Sequence, residues 1–230
     1  LRIMPNYVRN RLEVVCGNEQ ELNQFLSFVK GEDSQFDFNK IIPMPMELRD
    51  TSESSICYQN LAYYLKETDK LNVAEEIKKN HSLFDMCLPN MVDKTESEIK
   101  DMFNDGKQSF NNFIKYGFVS WYGWSYANWG TKWNAMQVHI FTGKCDAVIL
   151  FETAWCGVPM LIKKLTEIFP TFKFQYKYAD EDFGCNVGYG ETNDNGEFEF
   201  TEIEDNSQDA INIATEFWGY RDEFDEEFED

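Results

Sequence analysis

No stretch of the sequence approaches the roughly 18 consecutive apolar residues that a membrane-crossing helix needs. The first residues, Leu1-Arg2-Ile3-Met4-Pro5-Asn6, lack the apolar run of a secretory signal. Histidine is nearly absent, with only His81 and His139. His139 lies in the alternating segment Met136–Phe141 and faces away from Val138 and Ile140, as a surface or cross-strand residue does. The six cysteines (Cys16, Cys57, Cys87, Cys145, Cys156 and Cys185) contain no C-x-x-C pair. That spacing speaks against zinc and iron–sulfur sites, which want tighter clusters. Without a secretory signal the thiols are expected to be free, and Cys16 and Cys145 to be small buried groups. A Gly-rich phosphate loop, a G-x-S-x-G elbow and an HExxH helix are also missing. These absences predict a soluble, cytoplasmic protein with no cofactor, no metal and no enzymatic activity.

Bases are missing from one part of the chain. Of 230 residues, 41 are Asp or Glu and 21 Lys or Arg, a formal net charge of -20. Residues 180–230 hold 19 acids and one base, Arg221, whereas residues 1–179 hold 22 acids and 20 bases. The body is nearly neutral and the C-terminal quarter is an anion. Such a balance excludes ordinary binding to the phosphate backbone of duplex DNA. The segment 222–230, with seven acids in nine residues, reads as a solvated tail.

What remains is enough for a core, since 43% of residues are hydrophobic and 16% aromatic. Val8–Val15 alternates as a strand. Asn18 with Glu21 reads as a capping box ahead of a helix whose apolar face is Leu22, Phe25, Leu26 and Val29, with Gly31 as its terminator. Phe36–Ile42 reads as a second strand, stopped by Pro43. Residues 47–116 change to helical spacing and are expected as a mostly helical insertion. Its helices include Leu71–Asn80, Met91–Phe103 and Phe110–Tyr116, with Pro89 and Gly106 as breaks. Ala135–Phe141 and Ala147–Thr153 form a hairpin. A helix follows from Pro159 to Phe169, and Phe172–Tyr178 is a strand with one aromatic face. Gly184–Thr192 and Glu197–Ile203 pair around Asn195-Gly196. Ser207 caps a last helix with Ala210, Ile211, Ala214, Phe217 and Trp218 on one side. The pattern predicts an α+β fold, with an antiparallel or mixed sheet and helices on one face. Residues 1–206 are expected as its domain and 207–230 as a C-terminal helix and acidic tail.

Four of the six tryptophans fall within Trp121–Asn134. Two readings are open. Trp121, Trp124, Asn128, Trp129, Lys132 and Trp133 suit a small ligand or a single nucleic-acid strand, by stacking plus polar groups. Alternatively the segment is a rigid connector, with Trp124, Trp129 and Trp133 largely buried in the fold.

Met4-Pro5-Asn6 with Asn10-Arg11-Leu12, then Phe36–Pro45, then Asn128–Asn134, then Phe151-Glu152-Thr153-Ala154-Trp155 occur in an order that resembles the YubB-type ferredoxin-like family of phage and plasmid proteins. The resemblance implies a ferredoxin-like α+β fold in the fold sense alone, a mobile genetic element as source and a bacterial host cell as location. It supplies no catalytic residues.

Charge and resemblance together suggest an interaction protein whose anionic surface imitates nucleic acid before a basic, nucleic-acid-handling host protein, with a host-defence system as the expected target. Glu197, Glu199, Glu202 and Glu204 would lie near the contact. Asp222, Glu223, Asp225, Glu226 and Glu227 would add longer-range attraction. A metal-dependent enzyme built on Asp180, Glu181 and Asp182 is the weaker alternative.

Overall fold

The computed structural model describes residues 6–51, 54–80 and 87–219. They form two compact units, one of residues 1–43 and 128–230 and one of residues 44–127.

The first unit is built on a six-stranded sheet in the order β2-β3-β1-β4-β5-β6, every neighbouring pair antiparallel. Its strands are β1 (Tyr7–Val15), β2 (Met136–Thr142), β3 (Asp146–Ala154), β4 (Lys173–Asp180), β5 (Val187–Thr192) and β6 (Phe198–Ile203). Helix α1 (Glu19–Val29) follows β1, and α8 (Pro159–Ile168) joins β3 to β4. The path β1–α–β2–β3–α–β4 with β1 in the centre is the ferredoxin-like arrangement, extended by the β5–β6 hairpin.

In β1, Val8, Asn10, Leu12 and Val14 are buried while Arg9, Arg11 and Glu13 point to the opposite face. The period-two pattern thus fixes which face meets the core. On that core face Phe25 of α1 meets Phe172 and Phe174 with ring centroids 5.8 and 6.0 Å apart. Leu161, Ile162 and Leu165 of α8 are fully buried.

Asn10 is a polar residue in the middle of this apolar face, 1% exposed. Its amide donates to Val8 O at 2.9 Å and Thr153 Oγ1 at 2.9 Å. Its Oδ1 accepts from the Tyr176 hydroxyl at 2.6 Å. That hydroxyl in turn accepts from the Val158 N–H at 2.7 Å, just ahead of α8. Three strands and the entry to a helix therefore share one satisfied network. Burial pushes the Tyr176 hydroxyl well above its ordinary value, so it stays protonated and able to donate.

On β5, Gly188 and Gly190 lie opposite Tyr178 and Tyr176. A Cβ at Gly188 would sit 2.3 Å from Tyr178 Cε1. The missing side chain leaves room for Tyr178 to stack on Phe200 of β6, centroids 6.1 Å apart.

The last helix, α9 (Gln208–Trp218), is capped by Ser207. Its Ala210 and Ala214 cluster with Ala179 and Val187. Ala179 alternates with Tyr178 along β4, so α9 lies on the sheet face opposite α1 and α8. Helices on one face is thus right for α1 and α8, and α9 departs from it. Helix α9 covers the Ala179–Val187 patch.

Three local readings are corrected. Phe36–Ile42 is not a strand: Asp37 caps a single helical turn, α2 (Phe38–Ile41), through the Asn39 N–H. Phe36 and Phe38 are both buried there, and both pack on Phe151. Their alternation mimics a strand. The Asn18 cap is present, but Glu21 bonds the Gly17 N–H and the Asn18 side chain in place of the Asn18 backbone. Gly31 does not end α1 in a left-handed conformation; the chain leaves through an extended Lys30.

The second unit is helical: α3 (Met46–Arg49), α4 (Ser55–Glu67), a 3-10 turn at Leu71–Val73, α5 (Ala74–Asn80), α6 (Glu96–Tyr116) and most of α7 (Trp121–Trp129). The helical insertion expected at 47–116 is realised with wider bounds. The helices expected at Met91–Phe103 and Phe110–Tyr116 are one helix. It starts at a Thr95–Glu98 capping box and ends at Gly117 with φ 77°. Gly106 does not break it. A Cβ there would lie 2.1 Å from the Asn60 carbonyl oxygen, so the glycine lets α6 approach the α4 backbone. Tyr58, Leu61, Tyr64, Leu65, Ile77, Phe113 and Val119 form this unit's own core.

Replacing Tyr176 with Phe keeps the ring and orphans Asn10 Oδ1 and the Val158 N–H. A loss of about 1–3 kcal/mol in urea denaturation is expected. Gly106→Ala must push α4 and α6 apart, and the helix propensity it gains should not offset an overpacking cost of about 1–3 kcal/mol. A thermal melt of the variant beside the parent checks this.

Candidate functional site

The two regions singled out by sequence have different fates. Of the twelve acids between Asp180 and Gly219, eleven are exposed and only Asp180 is buried; that stretch holds no Lys or Arg. Asp180 is committed to structure. It accepts from Asn186 Nδ2 at 2.7 Å, from Asn6 Nδ2 at 3.1 Å and from the Asp182 N–H at 2.9 Å. This explains how a carboxylate sits 4% exposed, and it removes Asp180 from any Asp180–Glu181–Asp182 metal triplet. Among the described residues no group of three or more His, Cys, Asp or Glu could hold a metal ion.

The four hairpin glutamates do not form one array. Along β6, Phe198, Phe200 and Glu202 alternate with Glu199, Thr201 and Ile203, so Glu199 and Glu202 leave the strand on opposite faces. Glu197 and Glu199 belong to the turn end. There Glu199 accepts from Asn193 Nδ2 at 2.7 Å, and Lys163 of α8 lines the same shallow cavity. Lys173 also reaches this end, donating to Asn193 O at 2.6 Å.

Glu202 and Glu204 belong to the other end, where the chain turns into α9 past Asp205 and Asp209. Asn206 N–H bonds Gly184 O at 2.8 Å, and Asp205 accepts from the Asn186 N–H at 3.0 Å. This draws the Glu181–Asp182 loop to the same place. The field of these acids registers on their neighbours. The Cys185 thiol is pushed up by burial, then by Asp182 and Asp205. Cys156 is raised by burial, then by Asp180 and Glu202. Tyr178 is raised by burial, with Glu202 next. None of these thiols is primed as a nucleophile. Asp222, Glu223, Asp225, Glu226 and Glu227 lie outside the described residues.

The tryptophan segment works mainly for the fold. Trp121 and Trp124 belong to the helical unit, where Trp124 is 6% exposed and Trp121 half-buried; the Trp121 backbone N–H donates to Thr51 Oγ1 at 3.0 Å. Asn128 onward belongs to the sheet unit. Trp129 is 4% exposed, donates its indole N–H to Ile42 O at 2.9 Å and meets Phe38 edge-on. Thr131 Oγ1 donates to Ala154 O at 2.8 Å. Asn134 donates to Asp37 Oδ1 at 2.7 Å and accepts from the Phe38 N–H at 2.9 Å. The segments Phe36–Pro45, Asn128–Asn134 and Phe151–Trp155 are thus fastened to one another.

Trp133, expected to be largely buried, is covered less completely than Trp124 and Trp129. It is half-buried, with Lys132 Nζ 4.6 Å from its ring and 5.1 Å from that of Trp155.

Sequence reasoning missed Asn10 and the positive φ of Trp155 and Asn186, 66° and 48°. These two are joined by an Asn186 Nδ2 bond to Trp155 O at 2.8 Å. The lone Asn among β-formers in Tyr7–Val15 was the available signal for the first.

Residues 128–228 match a family model described as a ferredoxin-like domain in Api92-like protein, just under half of the chain. Among solved structures, the crystal structure of protein api92 from Yersinia pseudotuberculosis aligns at 10% identity with a TM-score of 0.42, covering 87% of this chain and 98% of that one. No curated protein matches.

Trp129→Ala removes a buried indole and its hydrogen bond and should cost about 3–5 kcal/mol. Trp133→Ala should cost less than that, because Trp133 is less buried than Trp129. Chemical denaturation of the two variants side by side tests the assignment; equal losses would refute it.

Proposed function

We propose that this chain is a non-enzymatic interaction protein of a phage or plasmid, and that its anionic C-terminal quarter docks on a basic, nucleic-acid-handling partner in the bacterial host cytoplasm. Opposition to a host defence system is the purpose this proposal assigns to the docking. The observation that carries it is the set of eleven exposed acids, in a stretch without Lys or Arg, on the β5–β6 hairpin, on α9 and on the loops beside them. Charges fixed on ordered backbone steer a cationic partner, where a flexible tail only attracts it. The mobile-element source rests on the four sequence motifs that resemble the YubB-type family, and the match of residues 128–228 to a ferredoxin-like domain model is compatible with it.

The geometry refines which acids matter. Glu202 and Glu204 lie at the end of the hairpin where the chain turns into α9 past Asp205. Glu197 and Glu199 share theirs with Lys163 and Lys173. Contact is therefore assigned to the Glu202–Asp209 end. Binding of a small ligand or a single nucleic-acid strand through the aromatic segment 121–134 is the weaker alternative, since Trp124 and Trp129 are buried.

A pull-down from bacterial lysate at about 50 mM and about 300 mM salt tests the reading, because screening tightens over that range. Basic proteins should be retained at low salt and released at high salt. Glu202→Lys with Glu204→Lys should abolish retention, Glu197→Lys with Glu199→Lys should weaken it, and deletion of residues 222–230 should mainly slow association. If all variants retain the same proteins as the parent, the acidity serves solubility alone.

A further inference from the structure

The sheet face opposite α1 and α8 is only partly covered by α9. Beside the end of that helix lies a cavity of about 340 Å³, lined among others by Arg9, Arg11, Gln137, His139, Leu150 and Phe217. This is the small end of the range for ligand cavities. The strand register accounts for its floor: Leu150 of β3 lies opposite Arg11 of β1 on one side and His139 of β2 on the other. One extra residue in β2 between Met136 and His139 bulges the edge strand, and Gln137 takes φ 48° there. Bulges of this kind re-aim side chains and recur beside binding sites. Here the bulge brings both Gln137 and His139 to the cavity.

The charges of this region balance in pairs. Arg9 faces Glu152 at 3.6 Å, Lys177 faces Glu216 at 3.0 Å, and Arg11 Nε donates to Glu13 at 2.7 Å. In a chain of net charge -20 this patch is neutral. Arg9 is immobilised further. Its Nη1 donates to Phe217 O at 2.6 Å, and its guanidinium lies 3.9 Å from the Trp218 ring centroid.

Arg11 is held differently. Glu13 takes only its Nε, so the terminal pair of Nη groups has no protein acceptor among the described residues. That planar pair is the part of arginine that binds a carboxylate or phosphate through two parallel hydrogen bonds. Among the described residues the His139 ring and the Gln137 amide also have no hydrogen-bond partner. Leu150 and Phe217 supply an apolar surface beside these donors.

We infer that this cavity is a binding site for a small oxyanion with a flat or apolar body, its anionic head on the Arg11 fork and its body against Leu150 and Phe217. The site does not rest on the anionic-surface reading: its residues lie outside the hairpin, and either can fail alone.

Titration of benzoate and of phenyl phosphate into the full-length, isotope-labelled chain, followed by NMR, distinguishes a carboxylate head from a phosphate. Fragments of this size should bind with a Kd on the order of 1 mM. Saturable shifts should cluster at Arg11, His139 and Leu150. Arg11→Lys should weaken binding about tenfold by removing the two-pronged contact. Arg11→Gln should abolish it. Leu150→Glu, which puts a carboxylate on the floor and leaves Arg11 in place, should abolish it as well. The inference is overturned if neither probe shifts these residues at about 10 mM, or if the shifts persist in Arg11→Gln. Inorganic phosphate binding as well as phenyl phosphate would overturn the assigned apolar body.

Discussion

The buried hydrogen bonds around Asn10 hold the sheet unit in register. A β-sheet core made only of apolar side chains tolerates slippage by two residues, because every second position looks alike. One Asn at the centre of β1, bonded to Thr153 of β3 and to the Tyr176 hydroxyl of β4, removes that freedom. Any shifted register would leave an amide, a hydroxyl and the Val158 N–H buried without partners, at about 1–3 kcal/mol each. The same hydroxyl bonds the Val158 N–H, so the start of α8 is set by the network that sets the strands.

Around this centre the fold relies on rings and on absent side chains. Phe25, Phe169, Phe172 and Phe174 form a chain of contacts with centroid distances between 5.1 and 6.1 Å. Gly188 and Gly190 let aromatic side chains lie across β5. The tryptophan-rich segment extends the same logic: Trp129, Thr131 and Asn134 each spend a side-chain group on the backbone or side chain of another segment. Residues with stacking faces and polar handles are the ones that suit a ligand, and the ones that suit fastening three chain segments. Here the second use has consumed most of them.

The acids follow a different rule. Eleven of the twelve between Asp180 and Gly219 remain in water, where a carboxylate has no desolvation cost, and Asp180 goes inside only because three donors meet it. The exposed acids on β6 also keep the outer sheet edge from pairing with another chain. On the sheet face away from α1 and α8, Arg9, Arg11 and Lys177 are each matched to a glutamate. One small unit therefore presents an anionic end and a neutral cavity with free donors.

The sequence by itself determined the α+β class, β1, both hairpins, α8, α9, the helical character of the insertion and the location of the charge. Each rests on a local signal: alternation, helical spacing, a capping residue, a proline or an Asn-Gly turn. Local signals misread Phe36–Ile42, because two buried aromatics two apart fit a strand or a capped helical turn equally, and the neighbouring Phe151 and Asn134 decide between them. They misread Gly106 because a glycine that breaks a helix and one that admits a second helix look the same along the chain. Only tertiary structure decided that α9 takes the far side of the sheet and that Arg11 keeps an unpartnered fork. Those outcomes depend on which strand lies beside which, and strand neighbours more than a hundred residues apart leave no periodicity to read.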